Sequence, residues 1–417
     1  MKQLHKATAL ALLMTLTGVC SNAVAAPDPA KIEARKKAKT KIMGERTGKK
    51  VVKAFELYNN DQLDEAIALM EELDPSNDFD KATVDRYLGN FYAQKEDYTK
   101  ALDFVKRAVE KDVLNFKDQA DTLKFVADLY FGQQKYVEGV KAYNDWMDFT
   151  GEEDDKVYAK IAQAYFELKQ FSKVIEPADK AIKLAKEPNK NYFMLKVGSY
   201  FELKQFNKVV EVGETLVKLF PDDKQNWTRL GSFYMSTEQF TKGQTIMEVA
   251  YRKGYFEKEN HYKILSSYYS LNDIPYKAAI VMEKALKEDK VKRTKQNVTA
   301  VASYFHQAKH LVTAAKYYEE AAKFDDDADL FRKAGNLLLT EQKYSAAVER
   351  LNKALELGTD KKGSTYSDLA EAYLYQEKYK QAYRAIVKAQ DDPRTRKFAR
   401  GWATFIKDKA QRKGISL

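Results

Sequence analysis

The sequence predicts an all-α chain built from about ten helical hairpins stacked one on the next. Three observations carry that reading. Only 17 Gly and 8 Pro occur in 417 residues, while Lys, Glu, Ala, Leu and Tyr abound, a composition that favours helix over turn-rich sheet. The chain also repeats itself: AYFELKQFSKVIE from Ala164 and SYFELKQFNKVVE from Ser199 agree at ten of thirteen positions, 35 residues apart. Outward from that pair, a small residue or valine recurs at Ala66, Ala101, Gly139, Val174, Val209, Gly243, Ala278, Ala314, Ala347 and Ala382, in steps of 33 to 38 residues. With 44% hydrophobic and 32% charged residues, the chain can bury a large core.

Residues 1–26 read as a signal peptide. Lys2 and Lys6 give a positive start, Ala7 to Leu16 an apolar run, and Ala23-Val24-Ala25 a small-residue cleavage site. Cleavage after Ala25 or Ala26 would leave no thiol, because Cys20 is the single cysteine; Val19 ahead of it does not suit a lipidation signal. The expected destination is the periplasm.

Residues 27–46 are rich in Lys and Arg and nearly devoid of large apolar side chains, so they read as a flexible or marginally helical basic arm. Residues 47–390 hold the repeat. Within it a first-helix aromatic recurs as Tyr92, Tyr130, Tyr165, Tyr200, Tyr234, Tyr269, Phe305 and Tyr373, and a second-helix alanine as Ala108, Ala181, Ala250, Ala285, Ala321, Ala354 and Ala389. Trp146 and Leu216 replace that alanine, and Pro177 is expected to bend its helix. In residues 391–417, Phe398, Trp402, Phe405 and Ile406 fall at helical spacing among basic residues. This fits a helix that caps the last repeat, or one that meets a membrane surface or a partner.

Trp227, Leu230, Gly231, Tyr234, Phe240, Gly243 and Ala250 follow the pattern of the tetratricopeptide family almost position by position. The resemblance implies a TPR-type helical-hairpin solenoid closed by a C-terminal capping helix. Gly231 and Gly243 are then expected to let two helix backbones approach, with Tyr234 and Phe240 filling the space beside them.

The net charge of +10 gathers at the ends. Residues 27–53 hold ten Lys or Arg against three acids, residues 390–417 eight against three, and the body between is net negative. A nucleic-acid-binding face along the body is therefore not expected, whereas the basic ends could touch a membrane surface.

Chemistry is sparse. His306 and His310 stand four residues apart, but no Cys or intervening acid completes a metal site. Phosphate-loop, dinucleotide and nucleophile-elbow motifs are missing, and acidic runs such as Glu152 to Asp155 and Asp325 to Asp327 fall at expected turns. No catalytic residue, metal or cofactor is expected, and a hydrolase of envelope polymers has no candidate acid, base or nucleophile.

What remains is the face lined by first helices, which in the resembled family receives peptides or partner helices. Phe131, Phe166, Phe201 and Met235 occupy one equivalent position in four consecutive repeats. They either line that groove or pack between neighbouring helices. The family's carboxylate-gripping site is matched in its first half by Arg86 with Asn90 and by Arg332 with Asn336; Phe125 and Asp368 stand at the supporting positions, so the grip is incomplete. Residues 49–94 resemble the opening of periplasmic tetratricopeptide proteins described as components of TonB systems. That resemblance implies a scaffold that binds proteins such as TonB and its ExbB-like and ExbD-like partners. A binder of anionic lipid or cell-wall polymer through the basic ends is the alternative.

Overall fold

The computed structural model describes residues 28–417; the leader read over residues 1–26, with Cys20, lies outside the described residues. The described residues are all helical, with 22 helices, twenty of them in ten consecutive hairpins. Ahead of the hairpins stands α1 (Pro29–Lys37). Four hairpins follow: α2 (Glu45–Asn59) with α3 (Leu63–Glu71), α4 (Asp78–Gln94) with α5 (Tyr98–Glu110), α6 (Phe116–Gly132) with α7 (Tyr136–Thr150), and α8 (Asp155–Glu167) with α9 (Phe171–Leu184). The fifth, α10 (Lys190–Glu202) with α11 (Phe206–Leu219), contains the division between two compact units at Leu195 and Lys196. The second unit continues with α12 (Lys224–Ser236) and α13 (Phe240–Arg252), α14 (Glu259–Leu271) and α15 (Pro275–Lys287), and α16 (Lys295–Gln307) and α17 (Leu311–Ala322). Then come α18 (Ala328–Thr340) and α19 (Tyr344–Glu356), α20 (Lys362–Tyr375) and α21 (Tyr379–Lys388), and finally α22 (Arg396–Arg412).

Each hairpin turns in three residues, and the middle one always has a positive φ: Asp61, Glu96, Gln134, Lys169, Lys204, Glu238, Asp273, Lys309, Gln342 and Glu377. That left-handed residue lets the following N–H reach back to the carbonyl of the first-helix aromatic. Asp97 N donates to Tyr92 O, Gln205 N to Tyr200 O and Ile274 N to Tyr269 O. None of the ten is glycine, although glycine adopts this conformation at least cost.

All ten of the recurrent small or valine residues are buried, as are the seven second-helix alanines. A small side chain at the crossing of two helices sets their separation, so its recurrence sets the stack. Trp146 and Leu216 fill the alanine position and are buried too, at 4% and 3% exposure. Helix α9 runs on through the buried Pro177.

Two expectations, on the paired glycines and on a flexible basic arm, need correction. The space beside Gly231 and Gly243 is not taken by a neighbouring backbone. A methyl group added there would meet the Met247 side chain at 2.2 Å and the Tyr268 ring at 2.1 Å, so the glycines are sockets for large side chains. The first-helix aromatics are not uniformly core: Tyr92, Tyr234, Tyr269 and Phe305 are buried, whereas Tyr130, Tyr165, Tyr200 and Tyr373 are half-buried. Lastly, the basic arm is docked. Ile32 is buried, Arg35 pairs with Asp112 at 2.9 Å and lies 4.4 Å over the Phe149 ring, and the Lys41 backbone exchanges hydrogen bonds with the Asn115 side chain.

At the other end α22 closes the last hairpin through Ala399, Ala403, Ile406 and Ala410, all buried against α21 and α20.

Candidate functional site

The four residues expected on the groove separate. Phe131 lies over Gly139 and meets Tyr136 and Tyr143 with ring centroids 5.9 and 5.2 Å away. Phe166 meets Phe171 edge-on at 5.4 Å, and Phe201, 49% exposed, meets Phe206 at 5.6 Å. Each ring turns onto the aromatic that opens its own second helix. The cause is the three-residue turn, which brings residues five apart in sequence side by side across the mouth of the hairpin. The spacing was visible in the repeated FELKQF, but its meaning depends on the turn.

Met235 lines a cleft. In the second unit, α12, α14 and α16 present their first-helix face side by side, and a cleft of about 530 Å³ opens among Met235, Ile264, Leu271, Tyr304, Lys263 and Ser267. Leu271 is 51% exposed there, the most exposed leucine among the described residues. At Asn260 this cleft meets a polar one of about 360 Å³, lined among others by Gln225, Thr228, Ser232, Lys258 and His261. Burial, with Lys258 nearby, lowers the His261 pKa below its ordinary value, which favours the neutral imidazole. An apolar depression joined to a strip of amides, hydroxyls and a neutral imidazole can hold one side chain and hydrogen-bond the backbone that carries it.

The polar candidates are already engaged or face an acid. Arg86 pairs at 3.0 Å with Asp118 on the next first helix, Asn90 is exposed and donates to Arg86 O, and Phe125 is half-buried against the core. Arg332 lies 3.4 Å from Asp329 on its own helix. Asn336 sits against Asp368 of α20, yet Asn336 Oδ1 and Asp368 Oδ2 are both buried without a hydrogen-bond partner. Burial raises the Asp368 pKa to about 6 despite the charge of Arg332, and burial also raises that of Glu371. Two unfilled acceptors beside a second carboxyl oppose a terminal carboxylate and would suit a donor instead. The histidine pair is exposed: His310 stacks on Tyr276 at 4.7 Å, while His306 meets Tyr318 edge-on at 6.1 Å.

The ten equivalent turns and buried crossings define a protein of helical-hairpin repeats of the tetratricopeptide type. No family model and no curated protein matches the chain in sequence. Solved structures are similar to it at low identity. A tetratricopeptide repeat protein from Parabacteroides merdae overlays with a TM-score of 0.36 and 13% identity, over 70% of this chain and 98% of its own. YrrB, a tetratricopeptide protein with an unusual peptide-binding site, gives 0.36 and 17% over 48% of this chain and 98% of its own. The Naa15/Naa10 structure bound to HypK-THB gives 0.48 and 11% over 87% and 66%.

Proposed function

We propose that the chain is a non-catalytic scaffold for protein–protein interaction and that the first-helix face of α12, α14 and α16 seats a peptide of its partner. The supporting observation is the cleft itself, where the exposed Leu271 and the half-buried Met235 stand beside Asn260 and Ser267. A peptide laid across it would bury one apolar side chain, worth about 2 kcal/mol, while its backbone meets the polar residues. Selection from a displayed random-peptide library tests this. Wild-type protein should enrich a motif with one fixed apolar residue, and Leu271→Asp should lose that enrichment with an unchanged melting temperature. Equal enrichment by both proteins, or none by either, would sink the reading.

The setting we propose is the periplasm, with a TonB-type energy-transducing complex for outer-membrane transport as the machinery served. Support comes from the leader-like residues 1–26 and from the likeness of residues 49–94 to TonB-associated tetratricopeptide proteins. Release by osmotic shock, with an intact mass that begins at Ala26 or Pro27, checks the compartment. Co-purification with TonB and the ExbB-like or ExbD-like proteins checks the machinery. Failure to retain any of the three would remove the TonB assignment and leave the peptide cleft standing.

A further inference from the structure

The joined clefts on the first-helix face of α12, α14 and α16 carry a charge opposite to that of the body around them. Residues 54–389 are net negative. Yet Lys224, Arg229, Lys258 and Lys263 line the two clefts against one acid, Glu257. That acid is already taken, since Lys224 lies 3.2 Å from it. Lys263 is paired with Glu259, which also accepts from Lys292 N at 3.0 Å and Asn297 Nδ2 at 3.1 Å and lines neither cleft. Lys258 is exposed and forms no ion pair among the described residues.

The cations and the apolar cleft face the same way. Arg229, Ser232 and Met235 follow one side of α12, and Asn260, Ile264, Ser267 and Leu271 follow one stripe of α14 at helical spacing. Hydrogen bonding at the polar end is biased toward donors. His261 Nδ1 accepts from the backbone N–H groups of Glu257 and Lys258 at 3.3 and 3.4 Å, so its neutral ring keeps the proton on Nε2. The positive end of the α14 dipole opens on the same cleft, through Lys258, Asn260 and His261.

We propose that the peptide seated here carries an acidic residue beside its apolar anchor, with the anchor at Met235 and Leu271 and the side-chain carboxylate in the polar cleft with Lys258 and His261. The proposal rests on the peptide reading above and adds the chemistry of the peptide. A carboxylate supplies the acceptors that this donor-rich wall lacks, and a hydrogen bond from a charged donor to it is stronger than one between neutral groups. The cations line the walls of a cleft, which suits one side chain better than a flat polyanion. Ten residues separate His261 from Leu271, about 15 Å along the helix, which an extended peptide covers in about five residues. The acid therefore falls within about that distance of the anchor, on one side of it only.

The test is a fluorescence-anisotropy titration of the full chain with short acetylated, amidated peptides that hold one central Leu in a Ser-Gly-Ala background, with Asp, Asn or Lys walked through the flanking positions. Wild type should bind the Asp peptide about fivefold more tightly than the Asn peptide at positions on one side of the Leu, and raised salt should narrow the gap. Lys258→Gln should lose the preference and Lys258→Glu should turn it toward Lys, both with an unchanged melting temperature. Equal affinity for Asp and Asn peptides, with binding still dependent on the Leu, would overturn this inference and leave the peptide cleft standing. A preference for Asp that survives Lys258→Glu would overturn it as well. So would a carboxylate that counts only as an unblocked C-terminus, which would make the ligand a chain end. No binding above that of a Leu-to-Ala control peptide would remove the peptide reading itself, and this inference with it.

Discussion

At the N-terminal end α1 is held mainly by polar and cationic contacts. Ile32 is its one buried residue, and the rest of the hold comes from Arg35 on Asp112 and Phe149 and from Lys41 on Val113 O and Asn115. At the C-terminal end α22 is held by an apolar face of four buried residues, and three of its six cations, Lys397, Arg400 and Lys407, form no ion pair among the described residues. Both segments are strongly basic, so composition makes them look alike. Their buried acids differ in the same way. Asp80, 2% exposed, accepts from Gly44 N through both oxygens at 3.2 and 3.1 Å, whereas Asp368 Oδ2 finds no donor. A basic segment docks by charge where the body offers acids and carbonyls, and by shape where it offers an alanine-lined surface.

Four substitutions test that contrast, taken from the largest expected effect downward. Ile406→Ala should cost about 4 kcal/mol, the usual scale for emptying a fully buried isoleucine site. Hydrogen exchange should show the loss in α20 to α22 and leave α1 to α4 protected, because repeats couple to their neighbours. Protection unchanged in α22 would mean that its apolar face does not hold it.

Asp368→Asn should stabilise the second unit by about 2 kcal/mol at pH 7.5, as one pKa unit corresponds to about 1.4 kcal/mol. The sign follows from the direction of the shift. The folded-state pKa is raised to about 6, so ionisation costs stability above that pH, and the cost fades as pH falls toward the ordinary carboxylate value. Urea melts should therefore separate variant from wild type at pH 7.5 and converge near pH 4. A difference that does not change with pH would contradict a strained Asp368.

Asp80→Ala should act in the opposite direction and cost about 1.5 kcal/mol, because it strips the Gly44 N–H of its acceptor. A urea melt of the first unit that is unmoved would show that Gly44 finds another partner. Arg35→Ala has the smallest expected effect, about 0.5 to 1 kcal/mol, since its pair with Asp112 is partly exposed and its contact with Phe149 adds little more. Its signature is faster exchange confined to residues 29–43. Slower or unchanged exchange there would show that Ile32 alone retains α1.

The repeat could be read from sequence because its cause is local. A hairpin of fixed length must place a small residue where its two helices cross, and the crossing returns with each hairpin. The Gly243 socket could not be read this way, because Tyr268, which fills the space beside it, comes from the next hairpin along. The candidate site was legible only in part for the same reason. Met235 lines a cleft with Ile264, Ser267 and Leu271 of α14 and Tyr304 of α16, whereas Phe201, at the equivalent position, meets Phe206. The FELKQF spacing contained that pairing, but only a known turn geometry would have exposed it.

The sequence by itself determined the helical class, the number of hairpins and the residues at their crossings, all set by contacts between segments joined through a three-residue turn. Tertiary structure alone decided that the N-terminal basic segment docks, which stripe of α22 is buried, that Asp368 loses its solvent while its Oδ2 is left without a donor, and which aromatics stay open. Those outcomes depend on surfaces that meet only after neighbouring hairpins have stacked, and nothing in the spacing along one helix records what another helix will leave uncovered.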